Sequence, residues 1–180
     1  MRPDLNLLLA GFGGQGLLFG GKVIAYCGLI ENREISWLPS YGPEMRGGTA
    51  NCSVCISDNP IGSPLVLAPN TLVVMNAPSL DKFIDTVVPG GTVIVDSYMI
   101  PQKVSRSDVT VHYVPATKLA EDNDLKGLAN IILIGKLLKE NEFCSEEAMD
   151  GALAKSIPAS KASLLAFNRT ALKLGAEYNA

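Results

Sequence analysis

The sequence predicts an α/β fold: a mostly parallel open sheet with flanking helices, Rossmann-like in its first half and helical through its C-terminal third. Three observations predict it. An apolar run at residues 7–10 enters Gly11-Phe12-Gly13-Gly14-Gln15-Gly16, and a helical pattern begins at Leu17. This is the strand, glycine turn and helix order of nucleotide-type folds. Two short, continuously apolar runs at 72–76 and 92–96 are separated by a helical stretch, the pattern of buried parallel strands. Beyond Val114 the apolar spacing turns helical and stays so.

The elements follow in order. Residues 17–30 read as a helix, with Gly20 and Gly21 permitting close packing against a strand or ligand. Residues 34–38 form a short strand, and Pro39-Ser40-Tyr41-Gly42-Pro43 a loop. Residues 49–57 are a strand ending in an Asp58-Asn59-Pro60 turn, and 72–76 a buried strand. Residues 78–88 read as a helix with Asp81 and Asp85 outward, and Pro89-Gly90-Gly91 turns the chain into the strand at 92–96. A last strand spans 109–114. Helices are expected at 125–139, buried on most sides, at 145–155 and at 161–177. The second of these has Ser145 as N-cap and Glu146 and Glu147 in its first turn. No linker, repeat or low-complexity stretch divides the chain, so residues 1–180 read as a single domain.

Composition narrows the function. The 180 residues are 47% hydrophobic and 18% charged, with a net charge of −3, a globular balance that offers no basic patch for nucleic acid. No apolar run is long enough to cross a bilayer. The first apolar run enters the glycine loop directly and reads as a strand, not as a leader, so a cytoplasmic protein is expected. The low charge leaves apolar surface for partners, or for a two-fold homodimer when the chain is isolated.

The glycine loop is the first functional signal. Gly11, Gly13 and Gly16 keep the G-x-G-x-x-G spacing. Such a loop lets backbone amides approach an anion at a helix start, which suits a pyrophosphate. The alternative is a tight turn serving packing alone. A nicotinamide site would need an acid at the end of the second strand, where Ile35-Ser36-Trp37-Leu38-Pro39 has none. Glu34 stands at the wrong end. No Gly-Lys-Ser/Thr makes the loop a Walker sequence, and Lys22 lies too far along the helix to replace that lysine.

Catalytic constellations are thin. The one histidine, His112, sits within a strand, and no G-x-S-x-G elbow is present. Of the four cysteines, Cys52 and Cys55 form a C-x-x-C inside a strand. Residues three apart on a strand point to opposite faces, so the pair reads as structural rather than as a metal or redox site. No catalytic residue and no metal ligand is assigned.

The second signal is Ser40-Tyr41-Gly42-Pro43-Glu44-Met45-Arg46-Gly47-Gly48-Thr49. Arg46 beside Gly47 and Gly48 offers a guanidinium and accessible amides to a phosphate or carboxylate, with Glu44 placed to orient it. Docking onto another subunit is the alternative. Taken together, the candidate binding set is Gly11, Gly13, Gly14, Gln15, Gly16, Tyr41, Glu44, Arg46, Gly47 and Gly48.

In order along the chain, the first loop, the S-Y-G-P-E-M-R-G-G-T-A-N segment, Met75-Asn76-Ala77-Pro78-Ser79-Leu80-Asp81-Lys82-Phe83, the 90–96 strand and Ala129-Asn130-Ile131-Ile132-Leu133-Ile134-Gly135 resemble the gamma subunit of 2-oxoacid:ferredoxin oxidoreductases. The W-L-P-S-Y-G-P-E-M-R-G-G-T-A-N wording is most similar to the 2-oxoglutarate branch or the related branched-chain one. The resemblance implies a complex that decarboxylates a 2-oxoacid oxidatively, passes the acyl group to coenzyme A and reduces ferredoxin. It implies alpha, beta and optionally delta subunits as partners. Thiamine diphosphate, magnesium and iron–sulfur clusters would sit on those partners. The isolated chain would be inactive, and its glycine loop would receive the phosphates of coenzyme A. Two other readings stay open: a purely structural assembly module, and a free-standing nucleotide-binding protein.

Overall fold

The computed structural model describes residues 2–40 and 49–179. Among them, six strands form one sheet: β1 (Leu5–Phe12), β2 (Glu34–Ser40), β3 (Thr49–Ser57), β4 (Thr71–Val74), β5 (Thr92–Asp96) and β6 (Thr110–Val114). Their order across the sheet is β2-β3-β1-β4-β5-β6. The helices are α1 (Leu17–Ile30), α2 (Ala77–Phe83), α3 (Ala116–Asp122), α4 (Ala129–Asn141), α5 (Glu146–Ser156) and α6 (Leu164–Glu177).

The sheet is mixed but mostly parallel. β1, β4, β5 and β6 pair in parallel, and β3 pairs antiparallel with both β1 and β2. β3 alone therefore runs against the others. The reason is connection length. Only residues 41–48 join β2 to β3, too few for the crossover that a parallel neighbour requires. β2 is an edge strand and runs through Pro39 to Ser40, past the loop start expected at Pro39. A proline is tolerated there because its missing N–H can face outward.

β1 carries an unbroken apolar run because both its faces are covered. Leu5, Leu7 and Leu9 point into the larger core with Ile24, Val54, Ile56 and Ile132. Leu8 and Ala10 point into the smaller core with Leu72, Val74, Leu80, Val93, Val95 and Ile100. α1, α4 and α5 contribute to the first core, and α2 to the second. The C-x-x-C behaves as its strand spacing requires. Cys52 joins Val54 and Ile56 in the larger core, while Cys55 borders a depression on the opposite face.

Several boundaries differ from expectation for local backbone reasons. The helix expected at 125–139 begins only at Ala129, because Asp124 and Gly127 adopt positive φ of 57° and 81°, which interrupts helical hydrogen bonding. A separate helix, α3, precedes it. The helix expected at 78–88 ends at Phe83 and continues as a tighter turn over Ile84–Thr86. α6 begins at Leu164 behind a similar turn at Ala159–Lys161. At α2 the Asn76 side chain caps the start, its Oδ1 accepting from the Ser79 amide at 2.8 Å.

α4 lies buried from Asn130 to Leu138 because α6 packs directly on it. The two helices meet backbone to backbone. A Cβ at Gly135 would collide with the Leu172 carbonyl, and one at Gly175 with the Ile132 carbonyl. At the amino edge Arg33, with a side chain only 6% exposed, binds Asp4 and Asp58 and donates to the carbonyls of Pro3 and Phe143. That edge is closed by ion pairs.

Gly175→Ala should therefore cost about 3 kcal/mol or more by forcing α4 and α6 apart. Gly62→Ala, where a Cβ would meet nothing within 4 Å, should stay within about 0.5 kcal/mol of wild type. Urea unfolding of both variants checks this; equal midpoints would contradict the packing described.

Candidate functional site

The carboxyl ends of β1, β2, β4, β5 and β6 share one edge, and the start of β3 lies there too, since Phe12 pairs in register with Thr49. α1 leaves β1 toward the larger core and α2 leaves β4 toward the smaller one. The gap between β1 and β4 is thus a topological switch point, where open α/β sheets hold ligands.

The glycine loop bridges that gap. The Phe12 amide donates to Gln15 Oε1 at 2.6 Å, and Gln15 Nε2 donates to the Met75 carbonyl at 3.1 Å. The Gln15 amide itself donates to the Phe12 carbonyl at 3.3 Å, and the Met75 amide to the Ala10 carbonyl at 2.9 Å. One side-chain amide therefore ties the end of β1 to the end of β4. Gly13 and Gly14 are exposed above it. Among the described residues the amides of Gly13, Gly14 and Gly16 donate to no backbone carbonyl.

Gly14 and Gly16 adopt φ of 91° and 75°, values that favour glycine. The reasons for keeping glycine differ. At Gly14 a Cβ would meet nothing within 4 Å, so only the backbone demands it and the space above is open. At Gly16 a Cβ would also strike Asn130 Nδ2 at 2.6 Å. Gly16 is the N-cap of α1; among the described residues no side chain caps that helix, and no acid stands in its first turn. The first turn thus offers unpaired amides and the positive dipole end. A depression of about 240 Å³ lies between the loop, Leu17, Leu18, Phe19 and Ala50.

The sequence-predicted residues divide into three groups. Gly13, Gly14 and Gly16 present backbone at the open edge. Gly11 lies buried in β1 beneath Gln15, where a Cβ would come within 3.1 Å of Met75 Cβ, and the Gln15 side chain is turned inward. Both shape the loop from below. Tyr41, Glu44, Arg46, Gly47 and Gly48 lie outside the described residues; Ser40 and Thr49, which flank them, are both at this edge.

Two asparagines escaped the sequence reading. Asn130, from the start of α4, donates through Nδ2 to the Gly16 carbonyl at 2.9 Å. Asn76, at the end of β4, caps α2. Both are buried, and Asn130 Oδ1 and Asn76 Nδ2 have no partner among the described residues. The available signal was a polar residue opening an otherwise apolar helix at Ala129-Asn130-Ile131-Ile132.

Other titratable groups serve structure. Asp96, fully buried at the end of β5, accepts from Thr117 Oγ1 at 2.6 Å, from the Thr117 amide at 3.2 Å and from the Tyr98 amide at 3.2 Å. It caps α3, and burial raises its pKa against those bonds. His112 Nε2 lies 3.8 Å from Glu140, and burial lowers its pKa. Lys22 lies over the Tyr26 ring, 5.5 Å from its centre, away from the loop. All four cysteines are free and buried. Burial pushes the Cys52 thiol up to about 11, and the neighbouring Cys144 thiol, together with burial, raises Cys27. Among the described residues no three His, Cys, Asp or Glu are grouped to hold a metal, and no helix is long and apolar enough to cross a membrane.

Comparison with known proteins places this geometry. Residues 6–178 match the family model described as pyruvate ferredoxin/flavodoxin oxidoreductase. The chain is 37% identical to the 2-oxoglutarate synthase subunit KorC of Methanocaldococcus jannaschii, over 94% of this chain and 92% of that one. It is also 37% identical to the ketoisovalerate oxidoreductase subunit VorA of Methanothermobacter thermautotrophicus, covering 98% of this chain but only 36% of that longer one. Among solved structures, the gamma subunit of the keto/oxoacid ferredoxin oxidoreductase from Geobacter sulfurreducens superposes with a TM-score of 0.81 at 25% identity, over 95% of both chains.

Gln15→Ala should unpair the Phe12 amide and the Met75 carbonyl at once and cost about 1–3 kcal/mol. Hydrogen exchange at the Phe12 amide should accelerate before global unfolding does; unchanged exchange would show that the bridge does not hold the loop. Asp96 should titrate above the ordinary carboxylate value. Because its folded pKa is raised, folding favours its protonated form, and Asp96 should lose stability for the chain as pH rises through that elevated pKa. A ¹³C titration of its carboxyl reads the midpoint directly, and a midpoint at or below the ordinary value would contradict the assignment.

Proposed function

The chain belongs to the pyruvate ferredoxin/flavodoxin oxidoreductase family, and from that premise we propose that it works as the gamma subunit of a cytoplasmic 2-oxoacid:ferredoxin oxidoreductase. The proposed reaction is oxidative decarboxylation of 2-oxoglutarate or a similar 2-oxoacid to its acyl-CoA, with the electrons passed to ferredoxin. The KorC parallel supports the 2-oxoglutarate branch. That relative is a subunit of nearly this chain's length, whereas this chain spans little more than a third of VorA. The 180 residues act as a single module in this reading, with alpha, beta and optionally delta chains as partners.

The observation that carries the proposal is the open, acid-free loop at the switch point. The amides of Gly13, Gly14 and Gly16, which have no backbone acceptor among the described residues, the start of α1 and the space above Gly14 suit a diphosphate. Coenzyme A carries one. The loop and α1 would hold it, with Arg46 adding a charge-assisted bond from the neighbouring segment. The part of this chain is to seat and orient the acyl acceptor. Thiamine diphosphate, magnesium and iron–sulfur clusters, which supply the carbon and electron chemistry, would be held by the partner chains.

A second reading makes the chain purely architectural. It draws on exposed apolar side chains, Leu65, Leu67, Tyr98, Met99, Leu164 and Phe167, each at least 39% exposed. In that case the loops shape an interface, and the isolated chain pairs with a second copy through the same surface.

Reconstitution separates the two. The purified chain alone should be inactive, and addition of its partner subunits should give 2-oxoacid- and coenzyme-A-dependent reduction of ferredoxin. In that complex Arg46→Ala should remove a bond worth about 1.5–3 kcal/mol and raise KM for coenzyme A about 10- to 150-fold. The architectural reading predicts weaker assembly with unchanged KM. Normal assembly together with unchanged KM would remove Arg46 from both roles. Gly14→Val is a poor probe of the loop, because valine is strained at a φ of 91° whatever the space around it.

A further inference from the structure

We propose that Asn130 is a positioning residue for the coenzyme A seat: from the first turn of α4 it holds Gly16 in the left-handed conformation that turns the loop amides outward. The inference rests on the loop being that seat.

Asn130 is 114 residues from Gly16 in sequence, yet its Nδ2 donates to the Gly16 carbonyl at 2.9 Å. The same nitrogen fills the space that a Cβ at Gly16 would need, and lies within 3.7 Å of where one would stand at Gly20. The amide therefore sits against the inner side of the first turn of α1. Its residue is 1% exposed. Its Oδ1 is buried without a partner among the described residues, a state that costs stability.

The Gly16 carbonyl does not need Asn130 to be satisfied, because it already accepts from the Gly20 amide at 2.9 Å. Folding is thus served without this side chain, and an apolar residue of similar size would avoid the orphaned oxygen. What Asn130 adds is direction. A second donor on the Gly16 carbonyl fixes the peptide plane that follows Gly16, and with it the aim of the Leu17 amide that opens α1. Neither α1 nor α4 has an acid in its first turn.

The test uses the assembled complex and reads KM for coenzyme A and kcat separately, across pH, for Asn130→Leu and Asn130→Asp. Asn130→Leu should melt no lower than wild type, yet raise KM about 5- to 10-fold, the worth of one ordinary hydrogen bond, with kcat within about twofold. Asn130→Asp should raise KM more at high pH, where its carboxylate faces the bound anion. The increase should shrink as pH falls and the buried carboxyl regains a proton to donate to Gly16. Wild-type KM in both variants, with any effect confined to melting or assembly, would overturn the proposal. Arg46→Ala measured alongside keeps the two questions apart. If it raises KM and the Asn130 variants do not, the seat stands and this inference fails. If neither variant set moves KM, the seat itself is refuted.

Discussion

One side-chain amide sets the geometry of the functional edge. Gln15 accepts from the Phe12 amide and donates to the Met75 carbonyl, so the last residue of β1 and the residue just beyond β4 cannot separate without breaking this bridge. The two strands diverge in function at this point, one feeding α1 to the larger core and the other feeding α2 to the smaller. A gap at the carboxyl edge follows from that topology. Gln15 closes the floor of the gap and leaves its roof, Gly13 and Gly14, open to solvent. The loop is therefore shaped by the protein rather than by whatever occupies it, which lowers the ordering cost of binding.

The cost of this arrangement falls on buried polar atoms. Asn130 Oδ1 and Asn76 Nδ2 have no partner among the described residues, and such groups typically cost about 1–3 kcal/mol each. Both flank the switch point, one at the start of α4 and the other at the end of β4. The closely packed remainder of the fold offsets them. α1 presses onto the sheet along a glycine face, with Gly21 against Cys52 and Trp37, and Gly28 against Ile35 and Ile56. α4 and α6 touch through Gly135 and Gly175. Unsatisfied polarity is not confined to the switch point, since Asn141 Oδ1, Ser156 Oγ and Asn168 Oδ1 on α4, α5 and α6 also lack a partner among the described residues.

Much of the architecture was legible in the chain. The apolar run into Gly11-Phe12-Gly13-Gly14-Gln15-Gly16 marked β1 and the start of α1, and the continuous runs at 72–76 and 92–96 marked buried parallel strands. The direction of β3 was implicit in the eight residues between Ser40 and Thr49, too few for a crossover. What escaped depended on single backbone torsions, such as Asp124 at φ 57°, which delays α4, or on long-range contacts. The sequence grouped Gly11 and Gln15 with the binding glycines. The fold places Gly11 in a strand and folds the Gln15 side chain inward, because their partners, Met75 and Phe12, become neighbours only once β4 lies beside β1. Asn130 showed only as a polar residue opening an apolar helix, since its partner is 114 residues away. The match of residues 6–178 to the family agrees with the resemblance carried by the same motifs.

The central claim is that the glycine loop is an anion seat for coenzyme A. Hydrogen–deuterium exchange on the assembled complex, with and without coenzyme A, tests it most directly. Protection concentrated in a peptide spanning residues 11–19 is the predicted result, because the amides of Gly13, Gly14, Gly16 and the first turn of α1 would gain acceptors. Exchange in that peptide that does not respond to coenzyme A, while protection appears elsewhere in the complex, would contradict the account.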